Sequence, residues 1–105
     1  MKRYEGRRQG HAAQVTVDGR PLDPRLDLCS HSPTGFEWGY GGSGPAQLAL
    51  ALLADHTGDA EEAVTLHQDF KRLVVARLPF RRWEITGQQM EAWVEILRSR
   101  LAEQT

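Results

Sequence analysis

The sequence predicts an α+β fold, a small β-hairpin plus a third strand packed with three helices, the first helix central. Three observations carry this expectation. Gln14-Val15-Thr16-Val17 alternates and favours β structure, then runs into Asp18-Gly19. Residues 46–55 form an apolar helical segment with one polar residue in its interior, Gln47. The element order is strand, strand, loop, helix, helix, strand, helix, which lacks the alternation of a parallel α/β sheet. A chain of 105 residues suits one domain, 1–105, with one modest core.

Each element has a local physical reason. Asp-Gly tolerates positive φ at both centres of a type I′ turn, so Arg20-Pro21-Leu22 returns as a short second strand. Pro21 lacks a ladder donor, which places that strand at an edge. Residues 27–45 hold five glycines and three aromatics and sustain neither the strand nor the helix period. So long a loop in a compact domain is functional or disordered. Exposed together, Phe36, Trp38 and Tyr40 would leave a large apolar patch in water, which argues against disorder. Their spacing also allows a short strand with all three rings on one face. An ordered segment folded across the core is expected.

Ser43 is the expected N-cap of the first helix, with Pro45 in its first turn. Leucines and alanines lie all round this helix, the pattern of a buried central one, and Gly58 stops it. The second helix is expected from about Asp59 to Leu78. Ala63, Leu66, Phe70, Leu73, Val74 and Leu78 share its apolar arc, and His67 and Arg77 fall within that arc. Pro79 closes it. Arg82-Trp83-Glu84-Ile85 alternates as the third strand. Thr86 and Gln89 form a capping-box pattern for the last helix. Met90, Trp93, Val94, Leu97 and Leu101 make the apolar stripe of that helix, while Glu91, Glu95 and Arg98 face water.

Composition narrows the function classes. Hydrophobic residues make up 40% and charged residues 26%, which suits a globular chain and not a disordered one. The lone cysteine, Cys29, excludes an internal disulfide and suits a reducing compartment. The longest apolar run, residues 48–54, is far too short to cross a bilayer. Residues 1–6 are charged with no apolar stretch behind them, so no signal peptide is read and a cytoplasmic location is expected. The net charge of −1 argues against a dedicated nucleic-acid binder. Its distribution is uneven. Residues 1–10 carry four bases and one acid, and residues 46–70 carry five acids and no Lys or Arg. Lys71, Arg72, Arg77, Arg81 and Arg82 follow with no acid among them.

The candidate sites concentrate in two stretches. Gly41-Gly42-Ser43-Gly44 opens a helix, where unhindered N–H groups can converge on an anion. Neither the Walker nor the dinucleotide-binding glycine pattern fits, and the glycines equally let the loop pass close over packed aromatics. Proline at 45 rules out a nucleophile elbow around Ser43. Cys29 and His31 lack a second ligand pair, and His11, His56 and His67 are scattered, so no metal, cofactor or catalytic residue is assigned. Cys29 reads as a small buried residue. Glu37 is the only charge between Cys29 and Ala54, and Gln47 is the lone polar group of its helix. On the ordinary reading Glu37 is solvated opposite the aromatics and Gln47 pins the glycine loop. On the sharper one His31, Glu37, Trp38, Tyr40 and Gln47 line a small pocket beside Gly42, Ser43 and Gly44.

The second stretch is Arg77, Arg81 and Arg82, which bracket Phe80 and Trp83. Arginines interleaved with aromatics can grip phosphates and stack bases, or simply complement a helix end. Five acids just upstream and the inward phase of Arg77 weigh against the first use. No measurable nucleic-acid binding is expected at about 150 mM salt, where screening acts over about 8 Å.

The segment Val17-Asp18-Gly19-Arg20-Pro21-Leu22, with the run from His31 through Gly35-Phe36-Glu37-Trp38-Gly39-Tyr40-Gly41-Gly42-Ser43-Gly44-Pro45 to Ala49, resembles the DUF6166 family. Its members are short bacterial proteins catalogued only as a domain of unknown function. The similarity extends to Asp69-Phe70-Lys71 and to the ending marked by Trp83 and Trp93. It implies an association of some members with plasmids and phages, and it supplies no activity, catalytic residue or cofactor. The leading expectation is a non-enzymatic binding module that contacts a protein partner or small ligand through residues 31–47, with no membrane involvement. The runner-up is a nucleic-acid-associated accessory protein, plasmid- or phage-linked, using residues 71–83 and the basic N-terminus. A small enzyme of unassigned class comes third.

Overall fold

The alternating segment at Val15 belongs to a four-stranded antiparallel sheet in a computed structural model of the protein, which describes residues 2–104. The strands are β1 (Arg3–Gln9), β2 (Ala12–Val17), β3 (Arg20–Pro21) and β4 (Arg82–Thr86). Their order across the sheet is β3-β2-β1-β4. Asp18 and Gly19 both have positive φ, 50° and 82°, so the β2–β3 hairpin turns as the Asp-Gly dipeptide requires. β3 is two residues long and lies at the edge, where Pro21 costs no ladder bond.

The sequence reading did not assign β1, although it sits between β2 and β4 and pairs with both. Its inward residues are Tyr4, Gly6 and Arg8, only one of them a large apolar side chain, so period 2 leaves almost no hydrophobic trace. Tyr4 is buried and donates from its hydroxyl to Asp55 Oδ2 at 2.7 Å. Burial first, then this bond and the Asp55 charge, push the Tyr4 phenol far above its usual value. Gly6 lies directly opposite Trp83 of β4. The absent side chain at Gly6 is the space the Trp83 indole occupies.

Helix α1 (Ser43–Thr57) is buried continuously over residues 44–54, as its all-round apolar pattern requires. Gly58 ends it in the left-handed conformation, φ 67°. The N-terminal expectation shifts by one residue: Gly42 is the N-cap, without a side-chain bond, and Ser43 is the first helical residue. α2 (Ala60–Leu73) follows after Gly58-Asp59 and packs beside α1 as a helical hairpin. Asp59 caps it by accepting from Glu62 N at 3.1 Å.

α2 stops five residues earlier than expected. Val74 departs to φ −124°, ψ −63°, and a single 3-10 turn, Val75–Arg77, takes over. Val75 O accepts from Leu78 N at 3.3 Å in that turn and from Gly39 N of the preceding loop at 3.0 Å, a carbonyl for which a continuing α-helix would have no donor because residue 79 is proline. The helical phase is lost there. Arg77 is therefore exposed and does not lie in the apolar arc that continued periodicity assigned to it.

α3 (Gly87–Glu103) opens with the expected capping box between Thr86 and Gln89. Met90, Val94 and Leu97 are buried and Trp93 packs partly against them, whereas Leu101, in the last turn, is exposed. The sheet gives Tyr4, Val15, Trp83 and Ile85 to the core, α1, α2 and α3 supply most of the rest, and Leu22, Trp38, Val74 and Val75 enter it from the connecting segments. On the other face of the sheet Arg3, Arg7, Gln14, Arg82 and Glu84 meet solvent.

Gly6→Ala tests the β1–β4 pairing. Its Cβ would overlap the Trp83 indole, and overpacking of this kind costs about 1–3 kcal/mol. Urea unfolding should show a lowered midpoint with an unchanged slope. Wild-type stability in this variant would mean that Trp83 does not pack on Gly6.

Candidate functional site

Residues 22–42 contain no helix or strand, yet side chains order them. Gln47, fully buried on α1, accepts at Oε1 from His31 N (2.8 Å) and Ser32 N (3.1 Å). Its Nε2 donates to Pro24 O (2.6 Å) and Cys29 O (3.0 Å). These four bonds use the full capacity of an amide and leave nothing for a ligand. Gln47 thus pins residues 24–32, not the glycine-rich stretch. Cys29 is only partly buried.

His31 crosses to α2, where its Nε2 lies 2.9 Å from Nε2 of buried His67. His67 Nδ1 lies 2.7 Å from Val64 O, a pure acceptor, which assigns the His67 proton to Nδ1. His67 Nε2 is then the acceptor and His31 Nε2 the donor. Burial, with added repulsion from His31 and Lys71, pushes the His67 imidazole below its usual value of 6.5. The pair is a latch between loop and helix that requires a neutral His67.

Arg8 forms the second fastening. Its side chain is 11% exposed and its guanidinium lies between two rings, 4.5 Å from the Trp38 centroid and 4.1 Å from that of Phe80. Nη1 donates to Glu37 Oε2 at 3.1 Å, Nη2 donates to Glu37 Oε1, and Nε donates to Phe80 O at 2.8 Å. The forked bond to Arg8 holds the Glu37 carboxyl below the usual carboxylate range. Trp38 is fully buried and donates from Nε1 to Phe80 O at 2.9 Å. A Cβ at Gly44 would stand 2.6 Å from Glu37 Cβ, so glycine there lets the clasp close on the first turn of α1.

The eight loop residues singled out from sequence therefore do not line one pocket. His31 and Gln47 belong to the anchored end of the loop, and Glu37, Trp38 and Gly44 belong to the clasp. Tyr40, Gly42 and Ser43 form the outer edge, with the Tyr40 ring laid against Gly42. Phe36, Trp38 and Tyr40 do not share a face. Gly39, at φ 87°, reverses the chain between a buried Trp38 and a Tyr40 that is 52% exposed. A separate cleft of about 320 Å³ lies between the β1–β2 turn and the loop, lined by His11, Ser32, Thr34, Phe36 and Glu37. Sequence reasoning missed Arg8, which sits in an unassigned strand. It also missed the partnership of His31 with His67, whose place in an apolar arc was the available signal.

Folding brings the two candidate stretches together. Gly39 N bonds Val75 O, Trp38 and Arg8 bond Phe80 O, and Arg8 N bonds Arg81 O at 3.1 Å. Tyr40 thus lies at the same end of the molecule as Phe80, which is 66% exposed. Arg77, Arg81 and Arg82 are exposed and, among the described residues, enter no ion pair. Arg82 lies directly opposite Arg7 on the open face of the sheet.

Among the described residues no three His, Cys, Asp or Glu side chains are grouped to hold a metal ion. No described helix is long and apolar enough to cross a membrane. Residues 4–96 match a family described as "Family of unknown function (DUF6166)". No curated protein and no solved structure matches the chain.

Trp38→Ala should cost about 3–5 kcal/mol, as for a core aromatic, whereas Tyr40→Ala should cost under about 1 kcal/mol. Denaturant titration of the two variants measures the difference, and equal costs would contradict their assigned places. The His67 latch predicts a pH dependence of stability. With its folded value depressed, the unfolded chain binds more protons, so stability is full above about 6.5 and falls as pH drops toward the folded value. The thermal midpoint should decline from pH 7.5 to 5.5 in the wild type and decline less in His67→Gln. Parallel curves for the two proteins would refute the latch.

Proposed function

We propose, for a chain that belongs to the DUF6166 family, a non-enzymatic binding module whose contact surface is Tyr40 and Phe80 flanked by Arg77 and Arg81. The observation that carries this reading is Phe80. Its ring is two-thirds exposed, yet its carbonyl accepts from Arg8 and Trp38 and its face rests on a guanidinium. An aromatic side chain held rigidly in water forgoes burial and loses little further freedom on binding, which are the properties of a preorganised anchor. The unpaired arginines beside it favour an anionic partner.

The internal polar chemistry also favours this reading over an enzyme. Gln47, His31, His67, Glu37 and Arg8 are engaged with one another or with backbone, so the groups an enclosed reaction site would use hold the loop instead. Gly42 supports the outer edge, with the Tyr40 ring folded back on it.

The test compares stability with partner capture. Tyr40→Ala/Phe80→Ala should keep the wild-type melting temperature within a few degrees and lose at least about tenfold in capture of partner from host extract. Trp38→Ala should lose both. Undiminished capture by the double variant would place the contact surface elsewhere.

A further inference from the structure

We infer that the anionic partner of this surface is a single-stranded nucleic acid, with bases stacking on Phe80 and Tyr40 and phosphates held by Arg7, Arg77, Arg81 and Arg82. The inference rests on the binding-module reading and adds the class of partner. Its first support is the sheet register. Arg7 and Arg82 are cross-strand partners on the solvent face, and like charges placed directly opposite destabilise a sheet. An anion bridging the two guanidinium groups would convert that repulsion into attraction. Among the described residues Arg82 has no acidic neighbour within ion-pair distance, and Arg7 has Glu5 alone, at 3.6 Å.

The second support is the ring geometry. Arg8 occupies the inner face of Phe80, 4.1 Å from its centroid, while the ring as a whole is 66% exposed. The outer face is left to stack a base, over a ring whose position is already held. Base–aromatic stacking tolerates any base, so recognition here is of strand and charge, not of sequence.

The third support removes the objections drawn from sequence. Arg77 leaves the apolar arc because α2 ends at Leu73. The upstream acids are largely engaged: Asp55 with Lys2 and Tyr4, Glu62 with Arg98, Asp69 with Arg72, and Asp59 as the α2 cap. The 14 residues of α2 rise about 21 Å, which sets Asp59 and Glu61 more than two Debye lengths from Val75 at physiological salt. Glu37, the acid beside Phe80, is neutralised by its forked bond to Arg8, and Glu5 and Glu84 lie two residues along β1 and β4 from Arg7 and Arg82. These last two border the basic band on the side away from Phe80, which confines a strand to the aromatic end.

The experiment is fluorescence anisotropy with labelled 12-mers of thymidine and uridine, an inorganic polyphosphate and a poly-glutamate peptide as further probes. Wild type should bind the oligonucleotides with micromolar Kd at about 50 mM salt. Four phosphate contacts imply a log–log salt slope of about −3, so binding at about 150 mM should be about thirtyfold weaker. Phe80→Ala should weaken oligonucleotide binding about tenfold or more and leave polyphosphate binding unchanged. Arg81→Glu/Arg82→Glu should remove both, and circular dichroism melts should confirm that both variants are folded. No oligonucleotide binding at the lower salt overturns the inference. So does oligonucleotide binding indifferent to Phe80→Ala, which would be general polyanion attraction. Phe80-dependent binding of poly-glutamate alone would overturn the nucleic-acid assignment while leaving the binding-module reading intact.

Discussion

The Arg8 guanidinium is the interaction on which the candidate surface depends. It joins three parts of the chain: the strand β1, the glycine-rich loop at Glu37 and Trp38, and the Phe80 segment that leads into β4. A charge this far from water is tolerated only when every face is matched. Here two rings cover the planar faces, a carboxylate takes the fork, and a carbonyl takes the remaining edge. Each partner is held by others in turn. Phe80 O also accepts from Trp38, Trp38 packs edge-on against Trp83, and Glu37 rests on Gly44. Losing Glu37 or Trp38 leaves an unpaired charge or an open core, whereas trimming the exposed Phe80 ring opens one face of the guanidinium to water and keeps the Phe80 carbonyl in place.

The same economy explains how about twenty residues of irregular chain stay ordered. A loop of this length forgoes ladder bonds, and its ordering costs backbone entropy that side chains must offset. Two buried polar residues on the central helical hairpin do this at one end, Gln47 through four bonds and His67 through its neutral ring. Arg8 does it at the other. Past the second anchor the loop turns at Gly39 and presents Tyr40 to solvent before α1 begins. Binding surfaces are commonly built this way, as mobile-looking sequence fixed by a rigid scaffold.

Charge is segregated by the same architecture. α1 and α2 form a hairpin that turns at Gly58, which places Asp55, Asp59, Glu61 and Glu62 at one end of the molecule. The start of α1, the end of α2, Phe80 and the unpaired arginines lie at the other. A net charge of −1 averages over two ends of opposite character. Net charge is a poor guide to a local potential when screening acts over about 8 Å.

What the sequence determined by itself was everything that local chemistry dictates. The Asp-Gly turn, the edge placement of Pro21, the buried central helix with its Gly58 stop and the Thr86–Gln89 capping box depend on residues within a few positions of one another. Their periodicity or φ requirements are visible without a partner. The resemblance to the family was legible for the same reason, because it resides in a contiguous string. Tertiary structure alone decided the rest. β1 is a strand because it lies between two others, and only Tyr4 among its inward residues carries an apolar signal. α2 ends at Leu73, where Val74 leaves the helical region and a 3-10 turn follows, and Gly39, over thirty residues earlier, docks on the Val75 carbonyl of that turn. Arg8 meets Glu37 and Phe80, and His31 meets His67, across separations that no periodicity spans. The candidate loop looked like a pocket because its polar residues are few and conspicuous. In the fold those residues bond one another, and the exposed surface passes to Tyr40, Phe80 and the arginines, which only long-range packing could bring to one edge.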